Sequence, residues 1–158
     1  MINKPYLTVK HIIIELVSAG IALLNLIFVI VMLMVNHVDL LSELPQNADV
    51  FGSLESLLVI AVVFFIGTIV TIIANHFLPS AFYRLPFRVN PEKYNIVMYF
   101  VTLGTSINML EISVWVCILS AIWTFKVDIL QVPSVIILLL VVVPTSLVFT
   151  IIAYRHNK

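Results

Sequence analysis

The sequence predicts an all-α protein, an integral membrane bundle of four transmembrane helices with both termini in the cytoplasm. Of its 158 residues, 62% are hydrophobic and only 10% are charged, whereas soluble domains are roughly 45–50% apolar and about 25% charged. A soluble fold of this length could not bury so much apolar surface. Four segments also reach the ~20 mostly apolar residues that a spanning helix needs. Soluble classes of protein are therefore excluded.

The four spans are predicted to form a single domain that occupies nearly the whole chain. They lie at about residues 12–35, 57–78, 96–125 and 133–154. The first span is longer than the roughly 7–15 apolar residues of a signal peptide, and no A-x-A cleavage site follows it. We therefore expect it to be retained. Asn90-Pro91-Glu92 has the residue order of a helix N-cap, so the third helix is predicted to begin before the membrane.

The basic residues orient the spans. Seven of the eight Lys and Arg residues lie in the two tails or in the loop between the second and third spans, and Lys126 alone lies on the other side. Because Lys and Arg concentrate in cytoplasmic loops, both termini and the middle loop are predicted to be cytoplasmic. The net charge of zero leaves no basic face for nucleic acid.

Polar residues inside the spans are the candidate ligand or proton sites. Glu111 lies near the middle of the third span, where an ionisable side chain is expensive and marks a functional candidate. Asn108 lies on the same helical stripe as Glu111, and Asn25 lies at comparable depth on the first span. Glu111 is either a protonated carboxyl that bonds a neighbour such as Asn25 and pins two helices, or a proton or ligand site. Glu15 is expected at the interface, within reach of Lys or Arg side chains.

Two loops carry the remaining candidate residues. The first external loop is acidic and contains Asp39, Glu43 and Asp49 without any Lys or Arg. It could attract a cation or a basic peptide, or be simply solvated.

The cytoplasmic loop alternates aromatic and basic residues between prolines. Its residues Tyr83, Arg84 and Arg88 are expected either to meet lipid headgroups and phosphates or to dock a cytoplasmic partner.

No pattern in the sequence indicates an enzyme, a metal site or a cofactor. The single cysteine, Cys117, excludes an internal disulfide and a cysteine-based zinc site. P-loop, GxSxG, HExxH and CxxC patterns do not occur. The four histidines are scattered near the predicted ends of the spans, so metal binding is not expected. These histidines are His11, His37, His76 and His156.

The cytoplasmic loop also carries a family resemblance. Residues 82–89 (FYRLPFRV) and 90–95 (NPEKYN) resemble the loop of a bacterial membrane family, a domain of unknown function shared with immunity proteins against the sporulation-delaying toxin. Lys4-Pro5, Leu44-Pro45 and Gly52-Ser53 resemble further elements of that family in the same order. The resemblance implies a multi-pass protein of the bacterial inner membrane.

The leading functional hypothesis is accordingly a non-enzymatic protein, similar to toxin-immunity proteins, that binds a membrane-active peptide or shields its target. One alternative is an accessory or sensory subunit of a membrane transporter. A second alternative is a small transporter that uses Glu111. The expected partners are the lipid bilayer, a peptide toxin or another membrane protein, and a second copy of the chain for a transporter.

Overall fold

Four long α-helices form the structure. The computed structural model describes residues 4–40, 54–77, 83, 85–125 and 133–158. The helices are α1 (Val9–Leu40), α2 (Leu54–Phe77), α3 (Tyr94–Thr124) and α4 (Pro133–Asn157). All four are long and apolar enough to cross a membrane, and the described residues contain no strand. The predicted all-α class with four helices of spanning length is confirmed.

Helix α1 extends further than the sequence predicted. It continues through Leu40, about five residues past the expected end of the first span, because no Gly or Pro interrupts residues 36–40. The backbone of Asp39 is therefore helical and does not belong to a loop, which corrects the prediction. Its side chain, together with Glu43 and Asp49, lies outside the described residues.

The helices are arranged in the order α2, α1, α3, α4. Helix α1 packs against both α2 and α3, while α2 and α3 touch each other only sparsely. Helix α4 packs almost entirely on α3. The four helices therefore form an open layer with α1 and α3 at its centre. Helix α3 keeps accessible surface on the side toward α2 and on the side toward α4.

Both ends of the described chain lie at the same end of the layer, which we call the terminal end. There Lys4 Nζ donates to the carbonyl of Asn75 at 2.8 Å, and the backbone N–H of Asn90 donates to Asn157 Oδ1 at 2.7 Å. Asn157 Nδ2 also donates to the carbonyl of Arg88 at 2.9 Å. These bonds join the N-terminal segment to α2 and the end of α4 to the segment before α3.

The predicted N-cap before the third helix is confirmed. Asn90 Oδ1 accepts a hydrogen bond from the backbone N–H of Glu92 at 3.1 Å, and Pro91–Lys93 form a 3₁₀ turn that leads directly into α3. A side-chain acceptor at this position satisfies one of the free N–H groups of the first turn. This cap fixes where α3 starts relative to the terminal end.

The buried face of α1 is a narrow stripe in which four of the six residues are polar. Its members recur at alternating intervals of four and three residues, as one face of a helix requires. They are His11, Glu15, Ser18, Ala22, Asn25 and Val29, all of them 2% exposed or less. Helix packing within a membrane relies on small residues and interhelical hydrogen bonds, and this stripe supplies both.

Candidate functional site

A buried polar cluster joins α1, α2 and α3 near the terminal end. We call it the Glu15 cluster, because the carboxylate of Glu15 lies at its centre and is only 2% exposed. Its members come from the N-terminal segment, three helices and the segment after α2. They are Lys4, His11, Glu15, Asn75, His76, Tyr83, Thr102 and Ser106.

Both carboxylate oxygens of Glu15 have partners. Oε1 accepts from Asn75 Nδ2 at 2.8 Å and from Ser106 Oγ at 3.1 Å. Oε2 lies 2.7 Å from His76 Nε2. These partners are an amide, a hydroxyl and an imidazole, and not the Lys or Arg side chains that the sequence predicted. Glu15 lies on the buried stripe of α1, and the spacing of that stripe is the signal that could have revealed its place between the helices.

Asn75 connects three parts of the chain through its three polar groups. Its backbone carbonyl accepts from Lys4, its side-chain Nδ2 donates to Glu15, and its side-chain Oδ1 accepts from the hydroxyl of Tyr83. Burial lowers the pKa of Lys4 and raises the pKa of Tyr83 to about 12. The Tyr83 hydroxyl thus bonds within the protein, and the Tyr83 side chain is partly exposed.

His11 uses both ring nitrogens for structural contacts. The backbone N–H of Thr8 donates to Nδ1 at 3.2 Å, so Nδ1 is an acceptor and the ring proton is on Nε2. Nε2 then donates toward Thr102 Oγ1 at 3.0 Å and the Tyr99 carbonyl at 3.3 Å. Within the part of the chain that the structure describes, no three His, Cys, Asp or Glu side chains lie close enough to hold a metal ion.

Glu111 and Asn108 lie on one stripe of α3, and this stripe faces α4. Asn108 Nδ2 donates to Ser146 Oγ at 2.7 Å, and Thr145 Oγ1 donates to Glu111 Oε1 at 2.7 Å. One turn before Asn108, a methyl group added at Gly104 would lie only 2.7 Å from Phe149 Cβ. The predicted common stripe is therefore present, and it is the surface on which α4 packs.

Asn25 does not bond to Glu111, which corrects that expectation. Asn25 is 2% exposed, and neither atom of its amide group has a hydrogen-bond partner among the described residues. Glu15 on α1 bonds to Ser106 on α3, and both helices run away from the terminal end. Asn25 follows Glu15 by ten residues, whereas Glu111 follows Ser106 by five. At 1.5 Å per residue, Glu111 therefore lies about 8 Å closer to the terminal end than Asn25 does.

Two polar atoms of the α3 stripe lack a hydrogen-bond partner within the described part of the chain. They are Asn108 Oδ1 and Glu111 Oε2, and both atoms are buried. Such groups are rare in folded proteins because an unmade buried bond costs about 1–3 kcal/mol. Asn108 lines a groove between α2 and α3, and Glu111 lines a separate pocket between α3 and α4. These two spaces are the candidate binding sites.

Of the remaining predicted site residues, Arg88 is exposed and contributes its carbonyl to the bond with Asn157, while Arg84 lies outside the described residues. No protein-family model, curated protein or solved structure matches this chain.

Proposed function

We propose that the protein is a non-enzymatic, multi-pass protein of the bacterial inner membrane that binds a membrane-active peptide. The loop resemblance to toxin-immunity proteins supports the bacterial membrane and the peptide. The distribution of Lys and Arg supports cytoplasmic termini. The single observation that carries the binding role is the groove between α2 and α3.

The groove exists because α2 and α3 each pack on α1 but hardly on each other. Its volume is about 640 Å³, and most of its surface is apolar. Along α2 it runs from Val59 to Thr71, which is about 18 Å of helix. A groove of this length can accept about three turns of another helix, in the manner of helix-in-groove recognition.

Small residues on the α2 wall favour a helix as the occupant. A methyl group added at Gly67 would meet no atom within 4 Å, and Thr71 follows one turn later. Small residues four apart let two helix backbones approach closely within a membrane. The floor of the groove contains Asn108, whose Oδ1 has no partner in the described structure. A peptide with a hydroxyl or amide at that depth would supply the missing donor, which a lipid acyl chain lacks.

The test is a binding titration in nanodiscs. The probe is a fluorescent synthetic Leu/Ala helix with one central serine, and energy transfer to the labelled protein reports binding. We expect Gly67→Leu to fill the groove and weaken binding at least about tenfold, which is about 1.4 kcal/mol. The matched control is Gly20→Leu on α1, where an added methyl also meets no atom within 4 Å, and we expect its affinity to equal that of the wild type.

A second comparison tests the hydrogen bond to Asn108. Replacing the probe's serine by alanine should weaken binding to the wild type but not to Asn108→Leu. Equal affinities of the wild type and Gly67→Leu for the serine probe would overturn the groove as the binding site. A stoichiometric transporter that co-purifies from the native membrane and is displaced by the probe would instead favour an accessory subunit.

A further inference from the structure

The pocket between α3 and α4 is a second site, distinct from the peptide groove. Its volume is about 380 Å³, which lies within the range of ~300–1,000 Å³ typical of small-molecule sites. The residues that line it do not overlap with those that line the groove. An inference about this pocket therefore does not depend on the proposed peptide binding.

Glu111 supplies the polar group of the pocket. Thr145 satisfies Oε1, while Oε2 is buried without a partner in the described structure. Glu111 is the only ionisable side chain among the residues that line the pocket. An ionised carboxylate at this depth therefore lacks a countercharge within the pocket, and a bound cation would supply one.

The rest of the pocket selects an apolar ligand. Trp115 lines it next to Glu111 on α3, and the face of an indole ring attracts a cation as well as apolar groups. The outer wall includes Ile118 and Ile137, which are 53% and 46% exposed on the lipid-facing surface. A ligand can thus enter from the bilayer, which requires it to be soluble in lipid.

We infer that the α3–α4 pocket binds a lipophilic organic cation, with the cationic centre at Glu111 Oε2 and the apolar groups against Trp115 and Ile118. The negative charge of the carboxylate balances the positive charge of the bound cation.

The test uses tetraphenylphosphonium, with equilibrium dialysis against the protein in nanodiscs of zwitterionic lipid. Empty nanodiscs correct for partition into the bilayer, and triphenylphosphine oxide is the neutral comparison. We expect saturable binding of the cation, reduced at least about tenfold in Glu111→Gln. Binding of the neutral compound should be unchanged by the same substitution. Glu92→Gln is the matched control, because it removes the same charge from an exposed position outside the pocket.

A second variant leaves the carboxylate in place. Ile137→Trp fills the pocket from the α4 side, and we expect it to abolish saturable cation binding even if Glu111→Gln proves unstable. Cation uptake that equals that of empty nanodiscs, or that is unchanged by both substitutions, would overturn the inference. Ile137 does not line the α2–α3 groove. The affinity of Ile137→Trp for the peptide probe therefore shows whether peptide binding persists when cation binding is lost.

Discussion

Glu15 is buried and Glu111 is partly buried in the membrane-spanning helices, and their surroundings differ. Glu15 has partners on both oxygens, from α2 and α3. Glu111 has one bond, from α4, its second oxygen is buried without a partner among the described residues, and its side chain lines a pocket. A carboxylate whose acceptor sites are all occupied holds helices together, whereas one with a free oxygen can still bind a ligand. The difference separates a structural acid from a candidate binding acid.

The largest expected effect is the loss of stability in Glu15→Ala. The substitution leaves the buried Asn75 Nδ2 without its acceptor and removes the partner of His76 Nε2, whose side chain is 30% exposed, so we expect the free energy of unfolding to fall by about 3 kcal/mol. Glu111→Ala removes one interhelical bond and should lower it by about 0.6–2 kcal/mol. Reversible unfolding in mixed micelles measures both. Equal losses would contradict the assignment of a structural role to Glu15 alone.

The next effect concerns the contact that holds α4 on α3. Gly104→Ala places a methyl group 2.7 Å from Phe149 Cβ, which is too close for ordinary packing, so α4 must shift. We expect a loss of about 1–3 kcal/mol and weaker cation binding at Glu111. Gly20→Ala is the control, since its methyl group meets no atom within 4 Å. The titration of Tyr83, whose hydroxyl donates to Asn75, would detect any disturbance of the Glu15 cluster, and in Gly104→Ala we expect none.

The different outcomes for the two acids also show what sequence reasoning can reach. Hydrophobic runs predicted the four helices, and helical spacing grouped Asn108 with Glu111 on one face. Spacing does not reveal which helix that face meets, so Asn25 was chosen where Thr145 is the partner. The partners of Glu15 were not predicted because Asn75 and Ser106 are 60 and 91 residues away in the chain. Only the packing of three helices brings them together.

The open spaces could not be predicted either. A groove between α2 and α3 depends on how closely two helices approach, and the sequence of each helix is compatible with a closed bundle. The unpartnered oxygens of Asn108 and Glu111 became visible only once the contacts of α4 were known. The absence of a charged partner for Glu111 in its own pocket is likewise a property of the assembly.

Tyr83 provides a pH test of the Glu15 cluster. Its pKa is raised from 10.0 to about 12, mainly by burial, so the folded state holds the phenolic proton more tightly than the unfolded state. The contribution of this proton to the free energy of unfolding is fully present below pH 10 and is lost as the pH rises toward about 12. Ultraviolet difference absorbance of tyrosinate should show a late-titrating phenol that is missing in Tyr83→Phe.

Tyr6→Phe is the control for this titration, because the pKa of Tyr6 is raised as well. The late phenol should persist in that variant, because burial is the main cause of the raised pKa of Tyr83, but its midpoint should fall, because Tyr6 also raises that pKa. If its loss required Tyr6→Phe rather than Tyr83→Phe, the phenol bonded to Asn75 would not be the late-titrating group. Neither tyrosine substitution should change cation binding at Glu111, because the two acids belong to separate sites.

The smallest effects come from the hydroxyl groups that donate to the two acids. Thr145→Val removes the only donor to Glu111 among the described residues and should cost about 0.6 kcal/mol, the average for interhelical bonds. Ser106→Ala should cost no more, because the Ser106 hydroxyl divides its single proton between Glu15 Oε1 and the carbonyl of Thr102.

A double-mutant cycle of Thr145→Val with Glu111→Gln isolates the Glu111 bond. If Glu111 is a ligand site, Thr145→Val leaves its carboxylate less compensated, so tetraphenylphosphonium should bind as tightly as to the wild type or more tightly. Weaker cation binding in Thr145→Val would mean that the threonine positions the carboxylate for the ligand. Glu111 would then depend on bonds to the protein as Glu15 does, and the two acids would differ only in the number of those bonds.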